Sequence, residues 1–142
     1  MKLYLIFTKR GLAVILALTV LALIFIGQFS TVNQNFLDGS THQKRIEFLN
    51  SVNLSVEENA LSVKGSFIPN KITGTAKEYN KILQKGGFNL ENFRGKAVTI
   101  YTYSLTENPH QRVSVLVCDG KIIAGDITDA LSGKISPIIK EK

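Results

Sequence analysis

Seventeen consecutive residues from Gly11 to Gly27 carry no charge and almost no polarity, Thr19 being the only hydroxyl among them. Lys9 and Arg10 close the run on one side, and Gln28, Ser30 and Thr31 weaken it on the other. A helix rises about 1.5 Å per residue and the hydrocarbon layer is about 30 Å thick. With Gln28 and Phe29 added, the run approaches the usual spanning length. A helix in the core of a globular domain keeps a polar edge, and this stretch has none. It therefore reads as a single-pass transmembrane helix over residues 11–29. A cleaved secretory signal is the alternative. It would need small residues at the cleavage site, where Ile24, Phe25, Ile26, Gln28 and Phe29 stand.

Lys2, Lys9 and Arg10 precede the run, and no acidic residue occurs before Asp38. Positive charge flanking a first helix stays in the cytoplasm. The expected layout is a cytoplasmic N-terminus (1–10), a signal-anchor (11–29), a linker (30–40), an extracytoplasmic domain (41–136) and a C-terminal tail (137–142). The lipid bilayer is then one partner, and the cell membrane is the location.

The chain has 142 residues, so the part beyond the anchor suffices for one small core. Of 17 Lys and Arg, the three near the N-terminus leave 14 against 11 Asp and Glu outside. That balance lacks the clustered basic block of a nucleic-acid binder. The single cysteine, Cys118, cannot form an internal disulfide. It reads as a small buried side chain at a strand end.

Ser40-Thr-His-Gln43 has the form of a capping box, and Ile46 and Leu49 follow at helical spacing, predicting a helix over 41–51. Leu54 to Val56 suits a short strand, and Leu61 to Phe67 a longer one. Thr75-Ala-Lys-Glu78 is a second capping box, opening a helix over 76–85 that Gly86 and Gly87 end. Ala97 to Ser104 is β-branched and aromatic, as strands are. Arg112 to Cys118 and Lys121 to Asp126 flank Asp119-Gly120, a strong hairpin signal. A two-residue turn predicts Val117 opposite Ile122 and Val115 opposite Ala124. Residues 128–142 read as loop or one helical turn. The sum is α+β: an antiparallel meander (97–104, 112–118, 121–126), extended by strands from 54–68, with two helices packed on one face.

Several short motifs follow one another along the chain: Tyr79-Asn80-Lys-Ile-Leu-Gln84, Gly87-Phe88-Asn-Leu90, Phe93-Arg-Gly95-Lys96, Tyr101-Thr-Tyr103 and Asp119-Gly120-Lys-Ile-Ile-Ala-Gly125-Asp126. Together they resemble an uncharacterised domain-of-unknown-function family of short, membrane-anchored proteins from spore-forming Gram-positive bacteria. The resemblance covers about Arg45 to Ile135. It implies one N-terminal transmembrane segment and one outer α+β domain. It carries over no activity, cofactor or catalytic residue.

Candidate chemistry is sparse. His42 and His110 have no second His or Cys at a ligand spacing, and no cofactor is implied. Asp126 and Asp129 could form an acid/base pair or cap the turn that ends their strand. No G-x-S-x-G elbow or S-x-x-K occurs. Gly86-Gly87 ends a helix and so is not a phosphate cradle. With both helices on one face, Tyr101, Tyr103, Leu116 and Ile123 would share the other, exposed and partly aromatic, as an interaction surface. The leading expectation is a non-enzymatic module that binds a protein or envelope component. The alternatives are a small hydrolase-like envelope enzyme using Asp126, Asp129 or His110, and a secreted protein released by signal cleavage.

Overall fold

In the computed structural model, which describes residues 37–138, the centre of the molecule is strand β4 (Gln111–Cys118). It lies between β3 (Ala97–Ser104) and β5 (Lys121–Asp129) in an antiparallel meander. β2 (Ser62–Phe67) adds outside β3. β1 (Leu37–Asp38) and β6 (Ile135–Pro137) share the outer edge of β5, β1 at its start and β6 near its end. The sheet thus has six antiparallel strands, with helices α1 (His42–Ser51) and α2 (Gly74–Lys85) packed on it. The class is α+β. The anchor expected over 11–29 lies outside the described residues. Among the described residues, no helix is long and apolar enough to cross a membrane.

The β4–β5 hairpin turns at Asp119 and Gly120, whose φ angles of 49° and 74° are both left-handed, as a tight hairpin turn requires. Val117 pairs with Ile122 as predicted. The register then shifts by a bulge, so Leu116 meets Ala124 and Val115 meets Gly125. A bulge places two residues opposite one, and Ile123 is the extra residue. A regular two-residue hairpin cannot foresee it. The bulge sets the face of every later β5 side chain.

The helices lie on opposite faces of the sheet, which corrects the expectation of one shared face. Arg45 of α1 donates from Nε to Tyr103 Oη at 3.1 Å. Tyr79 of α2 donates from Oη to Asp126 Oδ2 at 2.6 Å. Tyr103 is paired with Val113, and Asp126 with the next residue, Ser114. Successive strand residues point to opposite faces. The sheet carries apolar side chains on both sides, and each side needs its own cover. Phe48 and Leu49 of α1 close one; Leu83 of α2, with Phe88 and Leu90, closes the other.

Both helix starts differ from the capping boxes read in the sequence. Thr41, one residue past Ser40, is the cap of α1, and its side chain accepts from the Lys44 N–H. Ser40 instead bonds Asp38, whose Oδ1 accepts from its N–H and its hydroxyl. α2 begins at Gly74, so Thr75 is already helical and Glu78 pairs with Lys81. Buried Asn80 fastens α2 to the 3-10 helix Leu90–Phe93: its Oδ1 accepts from the Leu90 N–H at 2.8 Å. The segment 54–56 contributes one isolated bridge, Val56 to Leu105.

Candidate interaction groove

The structure separates the four residues expected to share an exposed face. Tyr103 is fully buried, and Leu116 and Ile123 are 4% and 1% exposed. Leu116 pairs with Ile100 and therefore points away from the tyrosines. The bulge at Ile123 and the α1 helix remove the rest of that surface. Of the four, Tyr101 alone is half-buried.

Tyr101 lines a groove of about 460 Å³ on the α1 face. One wall is the segment before α1, Gly39 and Ser40, held to the hairpin turn by the Gly39 N–H donating to Gly120 O at 2.9 Å. The opposite rim is Gly65 to Phe67 of edge strand β2, and Thr99 and Tyr101 lie between. The floor is open because the residues are small; a Cβ at Gly65 would meet nothing within 4 Å. Phe67 is 73% exposed at the rim, and Leu61 and Val63 continue the same exposed face of β2. Strand alternation makes that stripe legible once β2 is known to be an edge.

Arg45 is the residue that sequence reasoning missed. Its guanidinium carbon sits 3.6 Å from the centre of the Tyr101 ring. Nη1 donates to Gly39 O at 2.8 Å, and Nε to Tyr103. Gly39 and Tyr101, which hold it, both line the groove. Its place on the helix was readable: it falls four residues before Leu49, on the same side as that core residue.

The two aspartates do not form a pair. Three residues apart on one strand, they project to opposite faces. Asp129 Oδ1 accepts from the N–H groups of Leu131 and Ser132 and from the Ser132 hydroxyl, capping the turn. These bonds hold its carboxyl below the ordinary value, with a smaller contribution from His110. Asp126 is buried. Its carboxyl is pushed up by loss of water, partly countered by donors Tyr79 and Thr128. Burial, then the neighbouring Asp126 charge, push the Tyr79 phenol up strongly. The pair thus anchors α2 to β5. Cys118 is buried at the end of β4. Burial first, then the Asp119 carboxylate, raise its thiol, which disfavours the nucleophilic thiolate. No group of three His, Cys, Asp or Glu that could hold a metal occurs among the described residues.

The raised Asp126 carboxyl gives a pH prediction. A folded-state value above the ordinary 3.8 means that the neutral form is favoured in the fold. Its contribution to stability is full below that value and is lost as pH rises through the raised one. Asp126→Asn keeps one acceptor oxygen, which can still receive Tyr79, and removes the titration. The stability of the native chain minus that of the variant should fall across this window. A difference that stays constant between about pH 3 and 7 would refute the assignment. Taking the difference cancels Asp38, Glu78 and Asp129, which are held low and titrate in the opposite sense.

No family model, curated protein or solved structure matches this chain.

Proposed function

We propose that the chain is a membrane-tethered extracytoplasmic binding module, held by residues 11–29 with its N-terminus inside and its domain outside. The observation that carries the reading is the uncharged run from Gly11 to Gly27 behind Lys9 and Arg10. The groove beside Tyr101 gives such a module a place to bind, in preference to the four-residue surface expected from sequence. The motif resemblance to membrane-anchored proteins of spore-forming bacteria agrees with this topology and adds no activity. The partner is an envelope component or a protein at the outer surface.

The test is protease added to intact cells. The domain should be shaved while an N-terminal tag stays protected. Digestion of the domain only after lysis, or a tag exposed on intact cells, overturns the topology. A photo-crosslinking residue at Thr99 in the groove should give an adduct that the same residue at exposed Lys77 of α2 does not. Identical adducts from both positions would remove the groove from the proposal.

A further inference from the structure

We infer that the free edge of β2 pairs antiparallel with β2 of a second copy of this chain, about a two-fold axis through Gly65, so that two sheets become one. The inference rests neither on the anchor nor on the groove as a binding site. β2 ends the strand order, and among the described residues its strand partner is β3 alone. The opposite edge of the sheet is covered near both ends of β5, by β1 and by β6. An uncovered edge is a template for another strand, and proteins blunt it with proline, bulges or charge. β2 contains no proline, and its register with β3 runs unbroken through six residues. Lys64 is its single charge.

The edge is symmetric about Gly65. In an antiparallel ladder, successive residues direct their N–H and C=O groups to one neighbour and then to the other. Ile68 faces β3: its N–H donates to Lys96 O at 2.9 Å, and its carbonyl accepts from the Gly95 N–H at 2.8 Å. Phe67, Gly65 and Val63 therefore face outward. The outward run stops on both sides. Leu61, next in the alternation, turns its N–H inward to Thr102 O at 2.7 Å. Pro69 has no N–H to offer. Three outward residues remain, and Gly65 is their centre.

Opposed residues of an antiparallel pair share a face, so a strand pairing with its own copy is centred on a residue. With the centre at Gly65, Val63 stands opposite Phe67 of the second copy, Lys64 opposite Ser66, and Gly65 opposite itself. Each outward residue exchanges two hydrogen bonds with its partner, about six in all. Val63 and Phe67 are both exposed, and an aromatic opposite a β-branched residue is a favourable cross-strand pair. Above Gly65 a Cβ would meet nothing within 4 Å. Both phenyl rings have room to lean over the glycine pair. A centre at Lys64 would put two lysines in a non-hydrogen-bonded pair, where side chains are closest. It would also pair Phe67 with Leu61, whose N–H is already engaged. Centres further along lose pairs to Leu61 or Pro69. Tyr101 is the β3 partner of Val63, so Phe67 of the second copy extends that row and closes the open rim of the groove. A pairing confined to one edge falls short of the roughly 1,200 Å² of a standard interface. The dimer therefore forms where chains are concentrated and dissociates on dilution.

The experiment is disulfide crosslinking of two differently tagged preparations of the full chain, in nonionic micelles at rising protein concentration, with copper phenanthroline as oxidant. Cys118 is buried, so the native chain is the blank. Lys64→Cys mixed with Ser66→Cys places the thiols in an opposed pair, about 4.5 Å between Cα atoms and within disulfide reach. Two copies of either variant alone are offset by two residues along the strand, beyond the limit of about 7 Å. The mixed yield should exceed either single-variant yield about fivefold or more. Phe67→Lys in both copies, a change at an exposed position, should lower the mixed yield about fivefold or more. Equal yields from the three combinations, no mixed product at the highest concentration, or a yield indifferent to Phe67→Lys overturns the inference. A best yield from Lys64→Cys alone overturns the Gly65 register. Amide exchange separates the other occupant. The Val63, Gly65 and Phe67 amides should exchange freely in the dilute chain and slow as concentration rises. Protection already present in the dilute chain would assign the edge to another segment of the same chain and sink the dimer. Each of these failures leaves the membrane topology and the groove reading untouched.

Discussion

Leu49→Ala and Leu83→Ala should each lower stability by about 3 kcal/mol, and the double variant by the sum. Both side chains are fully buried, one in α1 and one in α2. Each truncation removes buried methyl groups and leaves a cavity that its surroundings fill only in part. Additivity is the informative part. Arg45 and Tyr79 reach Tyr103 and Asp126, which project from opposite faces of the sheet. A helix axis lies roughly 10 Å from the sheet it covers, so the sheet separates the two leucines by more than the range at which variants couple. Helices sharing one face would share one cavity, and coupling of about 0.5–3 kcal/mol would appear. Chemical denaturation of the full chain in micelles, followed by tyrosine fluorescence and circular dichroism, measures all three variants. The chain has four tyrosines and no tryptophan. Coupling beyond about 0.5 kcal/mol would contradict the two-sided packing.

What could be read from the sequence follows the range of the interaction. β3 was bounded correctly because β-branched and aromatic residues concentrate there. The Asp119-Gly120 turn was legible because two adjacent residues accept positive φ. The end of α2 is legible from its glycine stop at Gly86 and Gly87. The faces were lost at Ile123, where a bulge depends on packing from both sides and leaves no local signature. Leu116 is misplaced for a separate reason: the 105–110 connection sets the β3–β4 register, which pairs Leu116 with Ile100 and puts Val113 and Val115 beside the tyrosines. β1 has two residues and β6 three, too few for any alternation to show. Both exist because β5 offers them an edge. Arg45 was invisible as a site residue for a related reason. A charged residue near a helix start reads as solvated, and only the fold brings Tyr103, 58 residues away, to its Nε. Alternation along β3 alone leaves Tyr103 exposed, whereas in the fold it is buried and receives that bond.

Gly86→Ala should cost about 3 kcal/mol, although alanine is the better helix former. Gly86 follows the last residue of α2 and has φ of −89°, which any residue adopts. Conformational freedom therefore does not explain the glycine; space does. A Cβ at this position would strike the carbonyl oxygen of Ile138 and press on that of Leu83. Both are backbone atoms, so neither can rotate away. The segment free to yield is the end of β6, which holds to β5 through only three paired residues. Its displacement would expose Ile138, now 1% exposed, a loss of about 2 kcal/mol by itself. Gly87, whose φ is 85°, sets the contrast: a Cβ there meets nothing, so Gly87→Ala carries only the conformational strain of about 1–2 kcal/mol. Amide exchange resolves the two. In Gly86→Ala, the β6 amides and those of the Asp129 turn should exchange faster, while β3 and β4 stay protected. Uniform acceleration would mean that β6 is no separable unit, and an unchanged β6 would mean that the backbone approach at Gly86 is not tight. The groove lies on the side of Gly39 and Tyr101, away from β6. Crosslinking from Thr99 there should survive Gly86→Ala, which separates a loss of stability from a loss of site.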